Sequence, residues 1–198
     1  MSIATPVWIG FSGGVGIILL TCAGFAIRHA WLTYHGRELH RAFLKLTPWV
    51  ARDLILPDGL GGRIHADYLI LTPRALHWLN VFQVQGSIFG SHNMKDWTVL
   101  DFDKRWTFPN PLLSTPHKSG AIRALTGDSI PLVMDLLFPA NPVFPKGRVD
   151  GIWLPLEYIE YLQSELNPGG EPPESWQNLW RKILASASSE PDQETVRA

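Results

Sequence analysis

Apolar residues along this chain change their spacing several times, and each change marks an element. The first block is continuous rather than periodic. Val7 to Ile27 reads VWIGFSGGVGIILLTCAGFAI and holds no charged side chain. At a rise of about 1.5 Å per residue, a helix of that length spans roughly 30 Å of hydrocarbon. Lipid offers no water to unpaired backbone groups, so a helix is the expected form of such a segment. Pro6 suits a first helical position, and Trp8, Trp31 and Tyr34 stand near the ends, where amphipathic rings rest at an interface. Gly10 and Gly14 form a GxxxG pair that would let two such helices pack as a homodimer. Residues 7–27 are therefore expected to form one N-terminal transmembrane helix.

Beyond the span the pattern alternates. Leu39, Phe43 and Leu46 recur near one helical turn apart and predict a helix over Arg37 to Leu46. Pro48 interrupts it, and Trp49 to Leu56 reads as extended. Pro57-Asp58-Gly59, followed by Gly61-Gly62, predicts a turn. Ala66 to Leu71 and Leu76 to Val84 read as paired strands, split by Thr72-Pro73-Arg74. Gly86 to Gly90 continues as a strand or turn, and Trp97 to Phe102 as a further strand. Phe108 to Pro111 predicts a loop, His117 to Leu125 a helix and Ile130 to Phe138 a strand. Pro155 to Leu166 reads as a helix ended by Asn167-Pro168-Gly169-Gly170. Trp176, Leu179, Trp180 and Ile183 give residues 173–187 an amphipathic helix, a candidate docking element for a protein partner or a membrane surface. Ser188 to Ala198 is polar and expected to be disordered. Helix, strands, helix, strand, helix is the signature of an α/β (α+β) domain, here residues 36–166, with a mixed central sheet flanked by helices.

Charge adds a direction. Of 198 residues, 17 are Lys or Arg and 18 are Asp or Glu, which excludes a basic nucleic-acid surface over the whole chain but not a local one. No Lys or Arg precedes the apolar span, whereas Arg28, Arg37, Arg41 and Lys45 follow it. The positive-inside rule then places the N-terminus outside and the folded domain in the cytoplasm, on the inner membrane. Met1 to Pro6 lacks the positive charge of a cleaved signal peptide, and the lone Cys22 can form no internal disulfide. There is no Walker loop or GxGxxG, and His65, His77, His92 and His117 lack HxH or HExxH spacing.

Several linked segments nevertheless resemble one family. Gly36-Arg37-Glu38 opens a helix, and Asp67-Tyr68 precedes Leu69-Ile70-Leu71-Thr72-Pro73. Leu76 to Gly90, LHWLNVFQVQGSIFG, ends in a Gly-x-Ile-x-Gly turn followed by Trp97. Asn110-Pro111 precedes His117 and Leu125. In order and spacing these resemble the NERD (nuclease-related) domain, whose fold is PD-(D/E)XK nuclease-like. The resemblance implies a divalent cation, Mg²⁺, held by acidic oxygens beside a phosphate, a lysine that stabilises charge, and nucleic acid as the partner. Residue by residue it implies Asp67 as the catalytic and metal-binding aspartate and Glu38 as a further metal-site carboxylate.

At two positions the chain departs from that pattern. Asn80 stands where the resemblance expects Glu, and Phe82 where it expects Lys. An amide oxygen brings no negative charge, and a phenyl ring neither stabilises an anion nor acts as a base. Loss of one electrostatic stabiliser costs about 10²–10³ in rate. Asp101, Asp103 and Lys104 form the local set from which an acid–lysine pair could be rebuilt. The expectation is a degenerate catalytic motif in a domain that binds or scaffolds. The alternatives are a DNA nuclease with a rearranged site and a membrane-associated protein-interaction module.

Overall fold

The computed structural model of the protein describes residues 37–166 and 170–189. The expected membrane helix over 7–27, the GxxxG pair and Cys22 lie outside the described residues, as does nearly all of the polar tail. Among the described residues no helix is long and apolar enough to cross a membrane. The chain divides into two compact units, residues 1–40 and residues 41–198.

Helix α1 covers residues 37–46, as its apolar spacing predicts. Two long strands follow, β1 (Val50–Pro57) and β2 (Arg63–Leu71), paired antiparallel. The turn between them is held by Asp58, whose Oδ1 accepts the Leu60 and Gly62 N–H groups, each at 2.8 Å. Strand β3 (Leu76–Val81) pairs antiparallel with β2. Thr72 shapes that second turn: its hydroxyl accepts the Ala75 N–H at 3.0 Å. Strand β3 then pairs in parallel with β7 (Leu132–Leu137), and β7 in parallel with the short β8 (Ile152–Trp153). With β9 (Ser188–Ser189) on the far edge, the sheet order is β8-β7-β3-β2-β1-β9, a mixed sheet as expected.

The segments expected to be extended at Gly86 to Gly90 and Trp97 to Phe102 form a second sheet with a third strand that the apolar pattern does not predict. Strands β4 (Ser87–Phe89), β5 (Asp96–Asp101) and β6 (Lys104–Pro109) form an antiparallel three-stranded unit. Residues 104–109 are almost all exposed, so they lack the alternation by which a half-buried strand shows itself. The Gly-x-Ile-x-Gly segment has a steric reason. Gly86 adopts φ +93°, and a Cβ there would lie 3.1 Å from Asp101 Cα. At Gly90 a Cβ would lie 2.6 Å from Trp97 Cε2, so the glycine and the buried indole form one packing unit.

Helices cover both faces of the main sheet. Helix α2 (Thr115–Thr126), entered through a 3₁₀ turn at Pro111–Ser114, and α4 (Glu174–Ser186) share a core with Leu56, Leu69, Leu71, Leu76 and Trp78. Trp180 and Ile183 are buried in that core, and Trp176 and Leu179 pack against it. The apolar face of α4 is thus turned inward rather than left open for docking. On the other face Phe43 of α1 packs edge-on against Tyr68 and against Tyr158 of α3 (Pro155–Leu166). A separate core under the second sheet gathers Val84, Ile88, Trp97, Val99, Leu136 and Phe138.

Candidate functional site

Asp67 and Asn80 come together because of register. Tyr68 pairs with Leu79, so the next residues outward on the two strands are Asp67 and Asn80. There the ladder gives way to a side chain: Asp67 Oδ2 accepts the Val81 N–H at 2.9 Å. Leu69 and Trp78, one step further in on the same face, are fully buried. The carboxylate therefore stands at the rim of the core shared with α2, with its side chain 31% exposed.

Opposite these strands, α2 supplies a residue that the sequence reading overlooks. Lys118 Nζ donates to Asn80 Oδ1, and it lies 5.6 Å from the centroid of the Trp78 ring. Its position follows from helical spacing. Ala121 and Ile122, three and four residues on, are buried against the sheet, so Lys118 shares their inward face. A Lys at this phase of an apolar stripe is the signal that could have found it. Asn80 Oδ1 also accepts the Trp78 indole N–H at 3.1 Å, while Asn80 Nδ2 points to the Asp135 carbonyl at 3.5 Å. The amide oxygen is thus shared by two donors.

Two more groups approach from β1 and β2. His65 Nδ1 lies 3.6 Å from Asp67 Oδ1, and His65 Nε2 lies 3.9 Å from Asp53 Oδ1. Asp53 faces Asp67 across the β1–β2 register and holds a left-handed φ of 52°. Burial pushes the Asp67 carboxyl above the usual Asp range, opposed by the Val81 N–H, His65 and Lys118, with Asp53 adding repulsion. Burial pushes the Lys118 ammonium below the usual Lys value, opposed by the Asp67 charge. Each charge favours the other, and for each the loss of water weighs more.

The remaining expected residues fall elsewhere. Phe82 lies past the end of β3 and stacks with Phe138 at 5.6 Å and Phe108 at 6.2 Å in the core of the second sheet. It does not fill the space beside Asp67. Asp101 and Asp103 flank the tip of the β5–β6 hairpin, and Lys104 opens β6. The lysine is thus supplied by α2 and not by that run. Glu38 is exposed on α1, in the unit of residues 1–40, so the cluster described is built from residues 41–198 alone.

The Asn-Pro loop has a structural role. Asn110 is buried, and its Nδ2 donates to the carbonyls of Ser91, His92 and Met94 at 3.2, 3.1 and 2.8 Å. Its Oδ1 accepts the Leu112 N–H at 3.0 Å and starts the 3₁₀ turn that leads into α2. Asn110 therefore holds the entry to the helix that delivers Lys118.

These residues do not fit Mg²⁺. A hard cation needs several free oxygen donors. Here Asp67 Oδ2 is taken by a backbone N–H, the amide oxygen beside it serves an indole and an ammonium, and the neighbouring Asp53 is engaged with Arg52 and His65. Among the described residues no group of three or more His, Cys, Asp or Glu is arranged to hold a metal ion. No protein-family model, no curated protein and no solved structure matches the chain.

Proposed function

We propose that this chain is a single-pass membrane protein whose cytoplasmic domain, NERD-like and of the PD-(D/E)XK nuclease-like fold, has lost nuclease chemistry and acts by binding or scaffolding. The observation that carries the proposal is the state of Asn80. Its oxygen, which would have to ligate a cation, accepts from Trp78 and Lys118 instead. The uncharged span Val7 to Ile27 and the basic residues after it support the anchor and its direction. A domain starting about ten residues past that span would work near the inner membrane face, on nucleic acid or a protein partner.

The test is cleavage of plasmid DNA by the full chain with Mg²⁺ or Mn²⁺. The expected result is no cleavage above that of Asp67→Ala. Metal-dependent cleavage by the wild-type chain that disappears in Asp67→Ala would overturn the proposal.

One observation favours a second reading, a nuclease with a rearranged site. Lys118 restores from a helix the positive charge that Phe82 does not supply. The second carboxylate nearest Asp67 is Asp53, and it is engaged with Arg52 and His65 rather than left open. That reading requires cleavage to be lost in Lys118→Ala as well as in Asp67→Ala.

A further inference from the structure

A lysine on the inward face of a helix needs an explanation, because its ammonium loses water there. Lys118 could turn along the surface of α2, as long basic side chains commonly do. Instead it reaches across the Trp78 ring to the oxygen of Asn80, within range of the Asp67 charge. We propose that the Lys118 ammonium stands where a divalent cation would sit between Asp67 and Asn80, so that the chain carries its own counter-ion and the site is closed to metals. The inference rests on the reading of Asp67 and Asn80 as a site that has lost nuclease chemistry.

What two oxygen-bearing side chains on neighbouring strands need is positive charge, and a metal is only one source of it. An ammonium meets the need with three donors in a compact head. Three features hold it in place. The Asn80 oxygen accepts it directly, the Trp78 ring faces it, and the Asp67 carboxylate attracts it. Tethering adds a fourth advantage. Lys118 is fixed to α2, whose entry Asn110 staples to the 91–94 loop, so the charge is present at high effective concentration without a free ion. A free Mg²⁺ ion would have to displace a tethered cation and strip two acceptors from their donors. Loss of charge at residue 80 then has a reason. The Lys118 ammonium acts on the Asp67 charge, and the Asn80 amide oxygen accepts it without adding a further negative charge beside Asp53 and Asp67.

The test restores the missing carboxylate with and without the lysine. Four full-length chains in detergent are compared: wild type, Lys118→Ser, Asn80→Asp and Asn80→Asp/Lys118→Ser. Asn80→Asp preserves the side-chain volume, and a cooperative thermal melt verifies the fold of each chain. Should Lys118→Ser fail that check, Lys118→Gln removes the charge and retains most of the stem. Bound Mn²⁺ is read from the loss of the free-ion electron paramagnetic resonance signal.

The expected result is Mn²⁺ binding by the double variant at least about tenfold tighter than by Asn80→Asp alone, which is roughly 1.4 kcal/mol. That binding should vanish when Asp67→Ala is added. Equal affinity with and without Lys118 would overturn the proposal, because the ammonium would not be blocking the site. Failure of a folded double variant to bind Mn²⁺ would overturn it too, because the ammonium would not mark a cation position. The outcome is independent of DNA cleavage. A wild-type chain that cleaves DNA refutes the loss of nuclease chemistry, whichever way the Mn²⁺ comparison falls.

Discussion

Asn110 shows how much one buried amide can hold. Its two amide hydrogens are shared among three carbonyls and close the loop from Ser91 to Met94, and its oxygen begins the turn into α2. Asn110→Ala removes the amide from the His92 and Met94 carbonyls and from the Leu112 N–H, while the Ser91 carbonyl keeps the Trp97 indole N–H. A loss of about 2–3 kcal/mol in urea denaturation is expected, and a change below roughly 0.5 kcal/mol, the scale of a neutral surface substitution, would refute that role. A different polar group on the opposite face should behave in the contrary way. Tyr158 is fully buried on α3, and its hydroxyl faces the Asp135 carboxylate without a well-formed hydrogen bond. Burial and the Asp135 carboxylate hold its pKa well above the ordinary tyrosine value. Tyr158→Phe removes an unsatisfied group and retains the ring that packs on Phe43 and Trp153. Its urea midpoint should match or exceed that of the wild-type chain. A clear fall would show that the hydroxyl is bonded in solution.

At the scale of elements, legibility followed periodicity. The helices over 37–46, 155–166 and 174–186 carry apolar residues at helical spacing and lie where that spacing predicts. Strands β2 and β3 are apolar runs bounded by turn residues and lie close to their expected bounds, although β3 ends at Val81 rather than Val84. Strand β6 escaped because Lys104 to Thr107 face solvent, and the hairpin tip before it places Phe102 at φ 53°, where a bulky residue gives no turn signal. The site was half legible. Asp67 and Asn80 were singled out through the family resemblance, but Lys118 bonds Asn80 across 38 positions of sequence and acts on the Asp67 charge across 51, which only the packing of α2 on the sheet brings about.

The glycine turn of the second sheet offers a direct check on that packing. Gly90→Ala forces a methyl group against the Trp97 indole and should cost about 1–3 kcal/mol, measured by thermal unfolding. A wild-type melting profile would show that the indole can yield. The β1–β2 turn gives a pH-dependent one. Backbone N–H groups of Leu60 and Gly62, with His117 nearby, hold the Asp58 carboxyl below its usual value. A depressed folded pKa means that this stabilisation is complete above the ordinary Asp value and is lost as pH falls through the lowered one. Asp58→Ala should therefore lower stability at neutral pH, with the difference from wild type shrinking in acid.

Stability against pH is a property of the whole molecule, and the Asp67–Lys118 pair should leave a mark on it. The folded Asp67 pKa lies above 3.8, and the folded Lys118 pKa lies below 10.5, with burial the leading cause of both. Between the ordinary and raised values of Asp67 the folded chain binds more protons than the unfolded one, so stability falls as pH rises through that window. Between the lowered and ordinary values of Lys118 the folded chain binds fewer protons, so stability rises with pH there. Wherever both groups are charged, both desolvation costs are present in full. A site retained against such costs fits a pair kept for what it binds or positions rather than for folding. Asp67→Asn/Lys118→Met removes both charges, and its urea midpoint at pH near 7 should equal or exceed that of the wild-type chain. Either single change strands one partly buried charge and should cost about 1–2 kcal/mol. The double variant should also show a flatter stability profile at the acid and alkaline edges. A double variant less stable than both singles would mean that the pair stabilises the fold outright, and that desolvation is not the dominant effect at this site.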